Sequence, residues 1–220
     1  MNPGPEVITY LFGNKNLPIT DTLLASWVVV ILVTVFSLLA TRNLKLIPDR
    51  LQNGIELFVE VIYDQIEPLL PGEGWRFFPL IATLFIYVGL GNLIGLIPGM
   101  PGATGDLNAT LGLALVVFLV SHYEGMREYG FLGYLKGFGE PIIFLLPLNV
   151  VGELAKPVSH SFRLFGNVVG GSIILALVYQ AFPWFFPVVL HAWFDIFVGL
   201  VQTLIFGMVA IAYISVAKNT

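Results

Sequence analysis

The sequence contains no cysteine, so neither a disulfide nor a thiolate nucleophile or ligand can belong to its chemistry. Charge is scarce as well. Asp, Glu, Lys and Arg make up 11% of 220 residues, and a hydrophobic share of 57% is more apolar surface than a core of this size can hide, so lipid must be the main solvent. Basic residues are outnumbered ten to fourteen, for a net charge of −4, which leaves no basic patch for nucleic acid. A phosphate-cradling glycine loop and a metal-spaced Cys/His cluster are both missing, so neither a cofactor nor a metal is expected. Finally, the opening MNPGPEVITYLFGNKNLPITD is polar and proline-rich, and the apolar run behind it lacks the short h-region and small-residue cleavage site of a secretory signal. That run is read as a retained span.

What is present is a series of long apolar stretches. TLLASWVVVILVTVFSLLAT (22–41) is uncharged and long enough to cross a hydrocarbon core of roughly 30 Å. Arg42, Lys45 and Arg50 follow at once, which by the positive-inside rule puts this end in the cytoplasm and the N-terminus outside. The stretch 49–70 sets Leu51, Ile55, Phe58, Val59, Ile62 and Ile66 on one helical face against Glu56, Glu60, Asp64 and Glu67 on the other. It reads as an interfacial amphipathic helix whose acidic face meets solvent or a protein partner. FFPLIATLFIYVGLGNLIGLIP (77–98) is a second span, and after a glycine-rich outer loop Asp106 or Asn108 caps a returning helix ending near residue 126. Seven basic residues (42, 45, 50, 76, 127, 136 and 218) then lie on the expected inside, against Lys15 outside and two within a membrane segment.

The remaining chain, 141–217, holds two helix-compatible runs longer than a perpendicular span, separated by an outer turn at FPWFFP (182–187). Strong tilt accounts for their length, with kinks or breaks at Pro147 and Pro157. As an antiparallel hairpin they set Arg163 opposite Gln202 and Ser172 opposite Asp195. Lys156, His160, Arg163 and Asn167 recur at helical spacing on one run, and His191, Asp195, Gly199 and Gln202 on the other. Ionisable groups at this depth are costly and point to function by default. The fold class expected is therefore an all-α polytopic membrane protein. It has about five membrane helices plus an interfacial helix, in one domain: 1–21 outer segment, 22–41 span, 49–70 interfacial helix, 77–126 hairpin, 141–217 tilted hairpin.

The blocks NLIGLIPG (92–99), GDLNATLGLAL (105–115), GELAKPVSHSFRLFGN (152–167) and VQTLIFGMVAIAYIS (201–215) occur in an order that resembles the subunit a family of F-type ATP synthases. The resemblance implies a non-catalytic stator subunit in a bacterial plasma membrane, with the N-terminus outside and the C-terminus cytoplasmic. It would pass ions to and from the carboxylates of a rotating c-ring, alongside peripheral-stalk b subunits, the other subunits of the complex and membrane lipid. In the family an arginine of the RLFGN block is essential, and here it falls on Arg163. Asn167 and Gln202 match supporting positions, while Glu153 and Lys156 match the polar approach to a cytoplasmic half-channel. Many bacterial members carry an acid nine positions after the arginine and a histidine seven before the glutamine; this chain has Ser172 and Asp195 there. The expected outer half-channel is lined by Asp195, His191 and Ser172, and the inner one by Glu153 with His160.

Plainer readings stand beside these. Arg163 could pair with a lipid phosphate or a buried carboxylate, Ser172 and Asp195 could form a simple interhelical hydrogen bond, and His160 could be structural. His122 reads as interfacial, and Trp184 and Trp193 as an aromatic belt. Two other functional classes are an autonomous transporter, for which no internal repeat is evident, and an intramembrane metalloenzyme built on His191 and Asp195, which lacks an obvious third ligand.

Overall fold

The structure is a computed structural model that describes residues 7–10, 18–42, 44–97, 102–139, 143–181 and 186–219. The turn expected at 182–187 and the loop at 99–108 fall partly outside those residues. So do Lys15, Trp184 and Pro141.

The polar N-terminal segment, expected to lie outside, contains a short antiparallel hairpin, with β1 (Val7–Tyr10) paired to β2 (Pro18–Thr20). β-Branched and aromatic side chains in VITY favour the extended backbone. Thr20 then starts α1 (Asp21–Thr41), its hydroxyl accepting from Leu23 N at 3.3 Å. At the same end Thr22 donates to Asp106 Oδ2 at 3.3 Å, and Asp106 caps α4 (Leu107–Gly137) by accepting from Asn108 N at 2.8 Å. The cap is thus Asp106, with Asn108 as its partner. Most of α1 remains an exposed apolar cylinder; Ala25 and Val29 seat it against Ile94 and Ala103.

Helix α2 (Arg50–Ile66) is amphipathic, yet only its C-terminal part is packed on protein. Ile62 and Ile66 are buried, while Leu51, Leu57 and Phe58 stay exposed. Glu67, expected on a solvated acidic face, instead staples the turn into α3 (Gly74–Leu93): its carboxylate accepts from Gly72 N at 2.9 Å and from Tyr63 Oη at 2.8 Å. Those donors hold the Glu67 carboxyl below its usual range. Gly72 sits at φ 76°, a backbone conformation that suits glycine.

Helix α4 continues past residue 126 and breaks at Gly130, whose φ of 71° turns residues 131–137 back. Tyr134 packs on Gly125, and the His122 ring lies 3.9 Å from Phe118 and 5.7 Å from Tyr134. α5 (Leu146–Ala181) runs unbroken for 36 residues, about 54 Å, with Pro157 inside it. The alternative of two separate pieces is thereby excluded. The final run, Phe186–Asn219, is also helical throughout, as α6 (Phe186–His191), a π-helical stretch (Ala192–Val198) and α7 (Gly199–Asn219).

Among the described residues, five helical runs are long and apolar enough to cross a membrane: Asp21–Thr41, Gly74–Leu96, Leu107–Gly137, Leu146–Ala181 and Phe186–Asn219. The protein is an all-α polytopic membrane protein. Its main core lies among α2, α3, α4, α5 and α7, where Phe77, Ile81, Phe85, Val117, Leu164, Phe206 and Ile211 are buried. Gly207 lets the Phe85 ring lie against the backbone of α7, a space that any side chain would fill.

Candidate functional site

The α5–α7 seam carries the polar groups. Pro157, His160, Ser161, Leu164, Gly171 and Leu175 form the buried face of α5. Arg163 lies about 100° around the helix from Leu164 and is exposed. Among the described residues no carboxylate comes within ion-pairing distance of its guanidinium. The expected Arg163–Gln202 pair is replaced by another: Asn167, one turn on from Arg163, donates Nδ2 to Gln202 Oε1 at 2.8 Å. Asn167 stands at the edge of the buried face and reaches across it. Gln202 is only 3% exposed, and its Nε2 has no partner among the described residues.

His160 is buried in the same seam, its ring 3.9 Å from Phe206 and 5.9 Å from Tyr213, and its Nε2 is likewise unpartnered among the described residues. It does not line the cavity around Glu153 with which it was grouped. That cavity, about 390 Å³, lies between α4, α5 and α7 and is lined by Ser121, Tyr134, Asn149, Glu153, Lys156 and Tyr213 among others. Glu153 and Lys156 form an ion pair there, and the Lys156 ammonium sits 5.4 Å from the Tyr213 ring. Pro157 has no N–H to give the carbonyl four residues back, which leaves the Glu153 backbone oxygen beside this cavity without its helical bond.

At the other end of the hairpin, His191 Nδ1 meets Asp195 Oδ2 at 2.5 Å and His191 Nε2 meets Tyr179 Oη at 3.0 Å. One imidazole thus joins a phenol on α5 to a carboxylate on the π-helical stretch. The expected Ser172–Asp195 partnership resolves into two others, since Ser172 donates to the Val169 carbonyl at 2.8 Å while Asp195 takes His191. The i, i+4 spacing of His191 and Asp195 explains their contact. Among the described residues no third His, Cys, Asp or Glu joins them as a metal-ligand group.

Two contributors escaped the sequence reading. Tyr179 lies seven residues beyond Ser172, on the same helical face, and that spacing was the available signal. The other is the π-helical stretch itself. Its hydrogen bonds reach back five residues instead of four, so the stripe through His191, Asp195, Gly199 and Gln202 does not continue at simple α spacing.

A second polar cluster joins the α2–α3 turn, α4 and the end of α7. Glu124, 5% exposed in its side chain, pairs with Arg76 and lies 4.0 Å from Arg127. Lys218 pairs with Glu73 and lies 4.0 Å from Glu128. The Lys218 and Arg76 partners hold the Glu73 carboxyl below its usual range, with the Lys218 hydrogen bond the largest cause.

Comparison with known proteins places this architecture. The family model described as ATP synthase A chain matches residues 23–215. ATP synthase subunit a of Moorella thermoacetica is 37% identical over 205 residues, covering 93% of this chain and 94% of that protein. ATP synthase subunit a 2 of a Bradyrhizobium species is 36% identical over 220 residues, 100% of this chain and 98% of that protein. The sodium-ion-specific ATP synthase subunit a of Propionigenium modestum is 33% identical over 230 aligned residues, 97% of this chain and 79% of that protein. With a family match across nearly its whole length and relatives of this similarity, the chain belongs to the ATP synthase A chain family, as a multi-pass membrane component of the ATP synthase.

Proposed function

We propose that this chain is the stator subunit that passes protons to and from the carboxylates of a rotating c-ring through two half-channels, and itself catalyses no bond chemistry. The observation that carries this reading is Arg163: an exposed, permanently charged group on a membrane-length helix, without a carboxylate partner among the described residues. A guanidinium keeps its proton throughout and cannot relay protons. It acts as a fixed charge that favours ionisation of a rotor carboxyl facing it, an effect commonly worth about 1–3 pKa units. The proton leaves, and the charged acid must be reprotonated from the other pathway before it re-enters lipid. A membrane potential adds about 2.3 kcal/mol per charge per 100 mV, comparable to the roughly 1.4 kcal/mol that each pKa unit represents.

In this reading Asp195, His191 and Ser172, now joined by Tyr179, line the outer half-channel, and the Glu153–Lys156 cavity is the inner one. Asn167 and Gln202 hold the seam beside Arg163, and His160 packs below them. The N-terminus lies outside and the C-terminus in the cytoplasm, with peripheral-stalk b subunits, the c-ring and the remaining subunits as partners in a bacterial inner membrane. Arg163→Ala tests the reading: ATP-driven pumping by the assembled complex should be abolished, and normal pumping would refute it. Sodium is the second candidate ion, because one relative carries that specificity in its name. Pumping that persists in sodium-free buffer favours protons.

A further inference from the structure

Asn92 is a buried amide at the far end of α3, 7% exposed, with both ends of its side chain engaged. Its Nδ2 donates to the Gly199 carbonyl on α7 at 3.2 Å. Its Oδ1 accepts from the hydroxyl of Thr104, itself 0% exposed, at 2.5 Å. Thr104 belongs to a loop pressed onto the same place: Ala103 N donates to the Gly91 carbonyl at 3.0 Å, and Gly102 and Gly105 leave space that the Val168 side chain of α5 approaches. Two helices, α3 and α7, and this loop therefore meet at one amide, and the loop in turn touches Val168 of α5, the residue after Asn167.

Gly199 is where the π-helical stretch ends. Its N–H reaches back to Phe194 O, five residues earlier, and to Ile196 O. Its carbonyl accepts from Thr203 Oγ1 at 2.8 Å as well as from Asn92. A Cβ at position 199 would lie 3.3 Å from Asn92 Cβ, so a glycine is what permits this approach. The extra residue of a π turn swings what lies beyond it by roughly 100°, the angle of one residue at 3.6 per turn. Asp195 lies within the stretch and Gln202 just past it, so the turn sets the angle between the outer acid and the seam beside Arg163.

We infer that Asn92, oriented by Thr104, is a positioning residue that holds the π turn at Gly199 and thereby aims Asp195 along the outer proton pathway. The inference rests on the stator reading above. The amide touches neither proton nor rotor; it acts through the backbone of the neighbouring helix. Losing its donor unties the Gly199 carbonyl from α3 and leaves it only Thr203 of its own helix as a side-chain partner, and the stretch then relaxes toward ordinary α geometry.

The test uses the assembled complex in vesicles. The natural chain has no cysteine, so an introduced pair gives a clean signal. A Cβ at Gly171 would lie 3.3 Å from Phe194 Cβ, close to the roughly 3.5–4.5 Å that a disulfide spans. Gly171→Cys with Phe194→Cys should therefore cross-link readily, and adding Asn92→Leu should lower the yield several-fold. In the chain without the cysteine pair, Asn92→Leu should shift the dependence of ATP synthesis on outer pH and leave its dependence on inner pH in place. Thr104→Val, which keeps the loop's volume, should move both readouts in the same direction, and it decides the matter if Asn92→Leu complexes fail to assemble. Unchanged cross-linking, or reduced cross-linking with an unmoved outer pH profile, overturns the positioning role. Full pumping by Arg163→Ala in the same vesicles would instead sink the stator reading, whatever the cross-link shows.

Discussion

Asp195, His191 and Tyr179 form a chain of three side chains in which the imidazole has both nitrogens engaged. Such an arrangement can accept a proton at one ring nitrogen and release one at the other. Asp195→Asn removes the terminal acid while keeping its shape. It should slow ATP-driven pumping without disturbing assembly, and unchanged pumping by an intact complex would remove Asp195 from the path. Arg163, Asn167, Gln202, His191 and Asp195 were all legible as polar residues at helical spacing within apolar runs. Their pairing was not. The expected partners assumed two ideal α-helices of constant register, whereas Gln202 takes Asn167 and Asp195 takes His191. The His191–Asp195 contact follows from i, i+4 spacing, but the choice of Asn167 rather than Arg163 across the seam depends on side-chain reach and local twist, which spacing does not fix.

At the scale of elements, the long apolar runs 22–41 and 77–98 and their capping signals were readable because length and composition decide a membrane helix. Gly130's left-handed break and the π-helical stretch left no comparable pattern. Gly130 is one of several glycines in its stretch, and the π turn's contact with Asn92 comes from a residue far away in sequence. Nor did an acidic stripe announce that Glu67 folds back onto Gly72 and Tyr63. Its carboxyl pKa is lowered from an ordinary 4.5, so its hydrogen bonds stabilise the α2–α3 turn above that value. The stabilisation is lost as pH falls below 4.5 through the lowered value, as the carboxylate takes up a proton. Acid melting of the detergent-solubilised complex should therefore begin below that pH, and Glu67→Gln should flatten this part of the profile while lowering stability at neutral pH.

Across the whole molecule, two polar regions occupy the hairpin, and the Glu73–Arg76–Glu124–Lys218 cluster ties the α2–α3 turn, α4 and the end of α7 together at one end of the bundle. Ser215 adds a bond to the Leu69 carbonyl at 2.7 Å. Removing one member of a buried ion pair is far more damaging than replacing both. Arg76→Leu should cost less than the roughly 3–5 kcal/mol of a fully buried pair, because Arg76 is itself 38% exposed and Arg127 stays 4.0 Å from the nearly buried Glu124, yet it should still lower stability measurably. A lowered melting temperature, partly restored by adding Glu124→Leu, checks this. The cluster holds one end of the fold, and Arg163 lies on an exposed face that we propose meets the rotor. That face is where the account is most directly tested, in a density map of the assembled complex in its membrane. The account predicts the Arg163 guanidinium facing a c-ring carboxylate within about 4–6 Å, the range over which opposite charges shift ionisation; a guanidinium directed at lipid headgroups, remote from every rotor acid, would contradict it.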